Sequence, residues 1–199
     1  MDKQYEFSSS ESKLDRKEEH FFQEGFEKAH TVVFFLDSSR GRIGMLKRDP
    51  TVTFAGGKYT GIGGKIEPGE GHISGAVREL NEELLFKEKP YTKEQLSEFA
   101  RVIINETNIL SYFVLSYSED TLPTPTKGIG QLDWFSLEKV LESNLPIIPT
   151  TKYFMEVWRK RNWNTNAPFT VRLTRKETND VSSPVTRLDV EEGLRKKKS

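Results

Sequence analysis

The sequence predicts one α+β domain in which strands flank a single strong helix. Its 199 residues suffice for one sizeable domain and give no clear second one. Apolar, strand-like runs precede and follow the amphipathic segment Ile73–Phe86, and a further amphipathic helix comes late in the chain. Because strands and helices do not alternate regularly, a mixed layered arrangement is favoured over a β-α-β repeat.

The individual elements follow from hydrophobic periodicity and from the positions of glycine and proline. Extended segments are expected at residues 30–37, 42–49, 59–67, 99–108, 109–118, 130–137 and 168–176. Helices are expected at Ile73–Phe86, Thr92–Phe99, Leu137–Glu142 and Thr150–Arg161. This assigns residues 1–28 to a polar N-terminal extension, residues 29–176 to the compact domain and residues 177–199 to a charged C-terminal tail.

Composition excludes several classes of protein. Thirty Lys and Arg residues balance 30 Asp and Glu residues, so the chain has no overall attraction to nucleic acid or acidic membranes. The absence of cysteine excludes disulfides, thiol catalysis and Cys-zinc sites. The longest apolar run, Thr31–Leu36, is too short to span a bilayer. A cytoplasmic protein without a membrane or nucleic-acid partner is expected.

The segment Gly61–Phe86 concentrates negative charge directly behind a glycine loop. At about 100° per residue, one stripe of the helix is apolar and can pack on a sheet: Ile73, Ala76, Val77, Leu80 and Leu84. Glu79, Glu82 and Glu83 share another face, where like charges repel by a few tenths of a kcal/mol per pair. A purely structural helix would gain by alternating the signs of its charges.

Two interpretations of this acidic face are open. It is either a solvated helix face on which Arg78 pairs with Glu82, as most charge runs are, or a site for a divalent cation. The preceding loop favours the cation, because glycines let backbone approach a ligand and Lys65 supplies a point charge suited to phosphate. Magnesium bridges carboxylates to substrate phosphates, so the segment predicts a metal–polyphosphate site.

The same stretch resembles the Nudix box, G-x5-E-x7-R-E-U-x-E-E-x-G-U, in which U is a bulky apolar residue. The matching positions are Gly64, Glu70, Arg78, Glu79, Leu80, Glu82, Glu83 and Phe86. The resemblance implies the Nudix fold, a mixed β-sheet sandwiched between helices (α/β/α). Leu85 stands where the family has a glycine that ends the helix in a left-handed cap. Leucine in that conformation costs roughly 1–2 kcal/mol, so the helix is expected to run on toward Lys87–Lys89.

The resemblance also implies a reaction and a cofactor. Nudix enzymes hydrolyse nucleoside diphosphates linked to another group, with Mg²⁺ or Mn²⁺. Carried over by position, Glu79, Glu82 and Glu83 are metal ligands, together with the backbone carbonyl of Gly63. Glu79 is alternatively the general base on the attacking water, so the identity of the base stays open. Arg78 would orient the carboxylates.

Further residues are implied to hold the substrate or the motif in place. Glu70 would pair with the guanidinium of Arg78. Arg48 and Lys65 are candidates for phosphate binding, with solvated charges as the equal alternative. Thr60 is a candidate for substrate binding, because some relatives read the purine with Asn or Asp at that position.

The loop sequence GKYTGIGGKIEPGE is similar to the MutT-type branch, which cleaves nucleoside triphosphates, including oxidised guanine nucleotides, to a monophosphate and pyrophosphate. Other positions depart from that branch. Pro149-Thr150-Thr151 replaces a purine-reading residue at the start of the last helix, and Lys127 replaces a family acid. Three aromatic residues either stack on a base or belong to the core: Phe54, Tyr59 and Trp134.

Two alternatives to a triphosphate substrate remain. One is a different Nudix substrate, such as ADP-ribose, a dinucleoside polyphosphate or a capped RNA end. The other is a Nudix fold that senses nucleotides or binds proteins without hydrolysis, against which the intact set of three glutamates counts. A homodimer is expected only from the family resemblance.

Overall fold

The computed structural model describes residues 25–85, 89–175 and 185–194. Most of the predicted N-terminal extension and Phe86 of the motif lie outside these residues. The strands are β1 (Lys28–Asp37), β2 (Arg42–Arg48), β3 (Tyr59–Thr60), β4 (Leu84–Leu85), β5 (Leu96–Ile104), β6 (Asn108–Ser116), β7 (Thr124–Pro125), β8 (Gly130–Ser136), β9 (Phe169–Arg175) and β10 (Val185–Glu192). The helices are α1 (His72–Glu83), α2 (Pro149–Lys160) and a 3₁₀ turn at Lys93–Gln95.

One mixed sheet organises the chain. Its strands lie in the order β10-β9-β5-β6-β1-β2-β3, and β8 pairs with β2. β1 runs parallel to β6 and β5 runs parallel to β9, whereas the other neighbours in this sheet are antiparallel. Strands β4 and β7 form a separate two-stranded sheet. The predicted α+β class with a mixed sheet is confirmed.

Each face of the sheet is covered by one helix. Successive residues of β1 point to opposite faces, as in any strand. Phe34 packs with Trp158 of α2, their ring centroids 6.4 Å apart, in one core cluster. Val33 and Phe35 pack with the fully buried motif residue Leu80 of α1 in a second cluster. The central sheet with a helix on either side is the predicted α/β/α arrangement.

Helix α1 ends at Glu83, so the expectation that it runs on past Leu85 is wrong. Leu84 is buried in the core and, with Leu85, adopts the extended conformation of β4. The amide of Thr126 donates to the Glu83 carbonyl at 2.7 Å. The neighbouring loop thereby satisfies a helix end that a left-handed glycine would otherwise close, so Leu85 bears no left-handed strain.

Two predicted short helices are largely absent. The capping box of Thr92 supports only the single turn at Lys93–Gln95, and the chain then enters β5. Long-range pairing with β6 and β9 favours the strand over a longer helix, because the β5 side chains are mostly buried within the sheet. The predicted helix Leu137–Glu142 is a series of turns after β8.

The segment predicted as a charged tail contains a strand of the sheet. Residues of β10 pair antiparallel with β9, including Val190 with Val171 and Leu188 with Leu173. The intervening positions, Asp189 among them, are charged, and Leu188 and Val190 are themselves exposed, as is common on an edge strand. A search for a buried apolar face therefore does not reveal this strand. Within the described parts of the chain, no helix has the length and apolar character that a membrane crossing requires.

Candidate active site

A glycine segment runs beside β1 at the start of the candidate site. Val33 and Ile62 exchange two backbone hydrogen bonds, at 2.7 and 2.9 Å, and the Thr31 amide donates to the Gly64 carbonyl at 2.9 Å. Gly63 lies between them with a φ of +147°, and a Cβ at that position would overlap the Thr31 carbonyl. Among the described residues no backbone amide donates to the Gly63 carbonyl.

Gly63→Ala is expected to lower the free energy of unfolding by more than Gly69→Ala does. Gly69 has a φ of +81° but open space around a Cβ, so its substitution costs only left-handed strain of roughly 1–2 kcal/mol. At Gly63 a clash with the backbone of β1 adds about 1–3 kcal/mol, the usual range for overpacking. Urea denaturation of both variants measures the difference; equal losses would show that Gly63 is not closely packed against Thr31.

Arg78 is the centre of the carboxylate group on α1. Its guanidinium donates to both oxygens of Glu70, each at 3.0 Å, which gives the predicted pair a bidentate geometry. It also donates to Glu79 and Glu82, each at 3.0 Å, and to the Lys65 carbonyl at 2.8 Å. One arginine therefore fixes three acids of the helix and its preceding loop relative to the glycine segment.

The hydrogen bonds of this group shift the pKa values of Glu70 and Arg78. Burial raises the pKa of Glu70, but hydrogen bonds from Arg78 and the Glu67 amide outweigh it and hold that pKa below the ordinary value. The hydrogen bond to Glu70 is the main cause that raises the pKa of Arg78. Glu70 and Arg78 are thus a fixed ion pair.

Glu79 and Glu83 approach the glycine segment from α1. The Gly63 amide donates to Glu83 Oε2 at 3.4 Å, and a Cβ on Gly64 would lie 2.5 Å from Glu79 Oε1. Burial, and next the charge of Glu79, raises the pKa of Glu83 to about 7. Burial likewise raises the pKa of Glu79, against the opposing effect of Arg78. Two partly buried acids beside a glycine segment are an environment that an added positive charge would stabilise.

The donor atoms of this region suit a divalent cation. Carboxylates of Glu79 and Glu83 and the Gly63 carbonyl are the hard oxygen ligands that Mg²⁺ and Mn²⁺ prefer. Within the residues that the structure describes, no three acidic or histidine side chains converge as a preformed metal site, and Arg78 holds Glu79 and Glu82 by hydrogen bonds. Of the three glutamates on α1, Glu82 is the outermost, with 59% of its side chain exposed.

A cavity of about 650 Å³ opens beside Glu83. The three predicted substrate-binding residues, Arg48, Thr60 and Lys65, all line it. So does Phe54, whose ring is half exposed and lies 6.0 Å from the guanidinium carbon of Arg48. The structure therefore brings Glu83 of α1, the phosphate-binding candidates and an exposed aromatic ring together around one space.

The other aromatic candidates belong to the core. Tyr59 is buried, and its hydroxyl donates to Asp133 at 3.0 Å. Trp134 packs against the second core cluster and under the guanidinium of Arg42, 4.3 Å from its ring centroid. Neither ring lines the cavity, which leaves Phe54 as the stacking candidate from this set.

The far wall of the cavity was missed by sequence reasoning. Lys28, His30, Asn108 and Arg175 line it, from β1, β6 and β9. Burial, and then the nearby charges of Lys28 and Lys65, lowers the pKa of His30. These residues meet only because β6 and β9 take their places in the sheet through long-range pairing, for which no local motif gives a signal. Only the alternation of β1, which puts His30 on the same face as Val32, could have indicated part of this wall.

Comparison with known proteins identifies the family. The family model described as the NUDIX domain matches residues 27–156, and the chain belongs to this family. The predicted Nudix fold is confirmed. Membership of the family supports the interpretation of the chain as a hydrolase of phosphoanhydride bonds. The MutT-type branch stays a prediction.

Solved structures of low sequence identity share the fold. A MutT protein from Bacillus halodurans is 17% identical with a TM-score of 0.56, over 82% of this chain and 97% of that one. A MutT protein from Methanosarcina mazei Go1 is 22% identical with a TM-score of 0.52, over 69% and 96%. The Nudix hydrolase RenU from M. smegmatis is 18% identical with a TM-score of 0.52, over 70% and 86%. At these identities the likeness concerns the fold alone.

Proposed function

We propose that this protein is a pyrophosphohydrolase that cleaves a nucleoside triphosphate to the monophosphate and pyrophosphate, with Mg²⁺ or Mn²⁺ as its cofactor. The observation that carries the proposal is the meeting of Glu83 with Arg48 and Lys65 in one cavity that Gly63 also lines, with no backbone amide of the described residues bonded to the Gly63 carbonyl. Acids and cations side by side suit a substrate that is itself polyanionic and is bound together with a cation.

The side chains of the cavity divide into phosphate binding and proton transfer. Arg48 and Lys65 offset the charge of the phosphates and hold the chain of phosphates against the glycine segment. Glu83 or Glu79 accepts the proton of a water that attacks one phosphorus atom. The bridging P–O bond then breaks, and its electron pair leaves with the departing phosphate oxygen. A positioned base of this kind is worth about 10²–10⁴ in rate.

Orientation of these acids falls to Arg78. Its hydrogen bonds fix Glu79 relative to Glu70 and the Lys65 carbonyl, so the acid nearest Gly64 keeps one position during the reaction. A divalent cation, held by Glu79, Glu83 and the Gly63 carbonyl, would supply positive charge that offsets the phosphates and lowers the pKa of water. Glu82, which accepts a hydrogen bond from Arg78 at the surface, would add a third carboxylate beside this cation.

A nucleotide panel in the presence of Mg²⁺ tests the proposal. It contains the common nucleoside triphosphates and an oxidised guanine triphosphate, which the MutT-type resemblance implies, with ADP-ribose and a diadenosine polyphosphate. Release of pyrophosphate from a triphosphate supports the proposal. Release of monophosphates only from ADP-ribose or the diadenosine polyphosphate moves the substrate to another Nudix class. If no nucleotide of the panel is cleaved, the proposal fails and the protein is instead a nucleotide-sensing or protein-binding module.

A further inference from the structure

The far end of the cavity is lined by a nearly buried amide side chain. Asn108, the first residue of β6, is only 8% exposed and lines the cavity. Among residues 25–85, 89–175 and 185–194, no group makes a hydrogen bond with its side chain. A carboxamide has two N–H donors and an acceptor oxygen, so this side chain can form several hydrogen bonds with a ligand in the cavity.

The position of Asn108 matches the reach of a nucleotide. Lys28 of β1 pairs with Asn108 across the parallel strands, and three residues further along β1 the Thr31 amide bonds to Gly64. Three strand residues span about 10 Å. A nucleoside with its first phosphate covers such a separation, so a phosphate near the glycine segment places the base at Asn108.

The walls around the amide suit a flat, uncharged ring. Two apolar residues that line the cavity neighbour Asn108 in the sheet: Ile104 pairs with it across β5 and β6, and Leu110 lies two residues further along β6. Lys28 and Arg175 also line it and disfavour a cationic ligand. A heteroaromatic base meets both conditions, since its faces contact the apolar walls while its edge carries donors and acceptors.

The positions at which some relatives read the purine are engaged within this protein. The hydroxyl oxygens of Thr60 and Thr151 lie 3.2 Å apart and share a hydrogen bond. Thr150 accepts a hydrogen bond from the Arg175 guanidinium at 2.9 Å. Asn108, in contrast, has no hydrogen-bond partner for its amide among the described residues, and it lies on a strand rather than in the glycine loop or at the start of α2.

We propose that Asn108 determines base specificity by hydrogen bonding, through its amide, to the edge of the nucleobase. This inference rests on the proposed function, because it assumes that the substrate is a nucleotide. An amide pairs with an edge that presents a donor beside an acceptor, as adenine does. A carboxylate only accepts, so Asn108→Asp should favour an edge with two adjacent donors, such as that of guanine.

Calorimetric binding of nucleoside monophosphates tests the role of Asn108 without relying on activity. AMP, GMP, CMP, UMP and the base-free ribose 5-phosphate are titrated, with Mg²⁺ present, into the wild-type protein, Asn108→Leu and Asn108→Asp. Leucine keeps the volume of the side chain and removes its hydrogen bonds. The tightest monophosphate is expected to bind Asn108→Leu about tenfold more weakly, the effect of one or two hydrogen bonds, with unchanged affinity for ribose 5-phosphate. Asn108→Asp is expected to shift the preference toward GMP.

Other results overturn the inference. Equal affinities of wild type and Asn108→Leu for every monophosphate, or no binding of any monophosphate to the wild type, would exclude a base contact. Equal weakening of ribose 5-phosphate would indicate a structural role instead. Asn166→Leu, on an exposed loop residue, is the control for the substitution itself. If the wild type hydrolyses triphosphates while these affinities do not respond to Asn108, only this inference fails and the proposed function stands.

Discussion

Glu83→Gln is expected to lower kcat for nucleotide hydrolysis by about 10²–10⁴-fold, the range for loss of a positioned base. Glu83 lines the cavity and accepts a hydrogen bond from the Gly63 amide. Glutamine keeps the shape of the side chain but cannot take up a proton or offset a cation. Because burial already disfavours the charged carboxylate, a neutral amide should not lower the free energy of unfolding.

Glu67→Gln provides the matched control for this loss. Glu67 is exposed in the loop between the glycine segment and α1, so the same chemical change there should leave kcat near that of the wild type. Steady-state kinetics with a saturating substrate measures both variants, and urea denaturation confirms that both are folded. A Glu83→Gln protein with wild-type kcat would exclude Glu83 from the reaction.

Arg78→Gln is expected to lower both stability and activity. It removes the cation from Glu70 and Glu79, whose side chains are only 15% and 12% exposed. Loss of one partner of a buried ion pair costs 3–5 kcal/mol, and the 27% exposure of Arg78 lets solvent screen part of it, so roughly 2–3 kcal/mol is expected. Activity should fall because Glu79 loses its fixed position.

Two further substitutions separate geometry from charge at this position. Arg78→Lys keeps the charge, but an ammonium cannot donate to Glu70, Glu79 and the Lys65 carbonyl in the fixed fork of a guanidinium, so partial recovery is expected. Arg159→Gln removes an arginine from an exposed pair with Glu142 and should change the free energy of unfolding by less than about 1 kcal/mol. Equal effects of Arg78→Gln and Arg159→Gln on stability and kcat would contradict the central position of Arg78.

The near side of the site could be predicted from the sequence because it is local. Glu79, Glu83 and Arg78 lie on one helix whose period is fixed, and the glycine segment precedes it by a few residues. The family resemblance implied the pair of Arg78 with Glu70, which the structure contains. Helix geometry was sufficient to place the three helical residues on one segment behind the glycines.

The remaining features depend on contacts between distant segments. Asn108 reaches the cavity only because β6 lies next to β1, and Arg175 only because β9 lies next to β5. The end of α1 at Glu83 likewise depends on Thr126, more than 40 residues later, whose amide donates to the Glu83 carbonyl. Local periodicity contains no information on such pairings, which explains why the far wall and the helix end were missed.

Phosphorus NMR of the wild-type protein, mixed with a nucleoside triphosphate and Mg²⁺, decides whether the protein carries out metal-dependent cleavage of a phosphoanhydride bond. The proposed function predicts that the triphosphate signals give way to equal amounts of monophosphate and pyrophosphate. Addition of EDTA should stop the conversion. Unchanged triphosphate signals for every nucleotide tested, or formation of a diphosphate and orthophosphate instead, would contradict it.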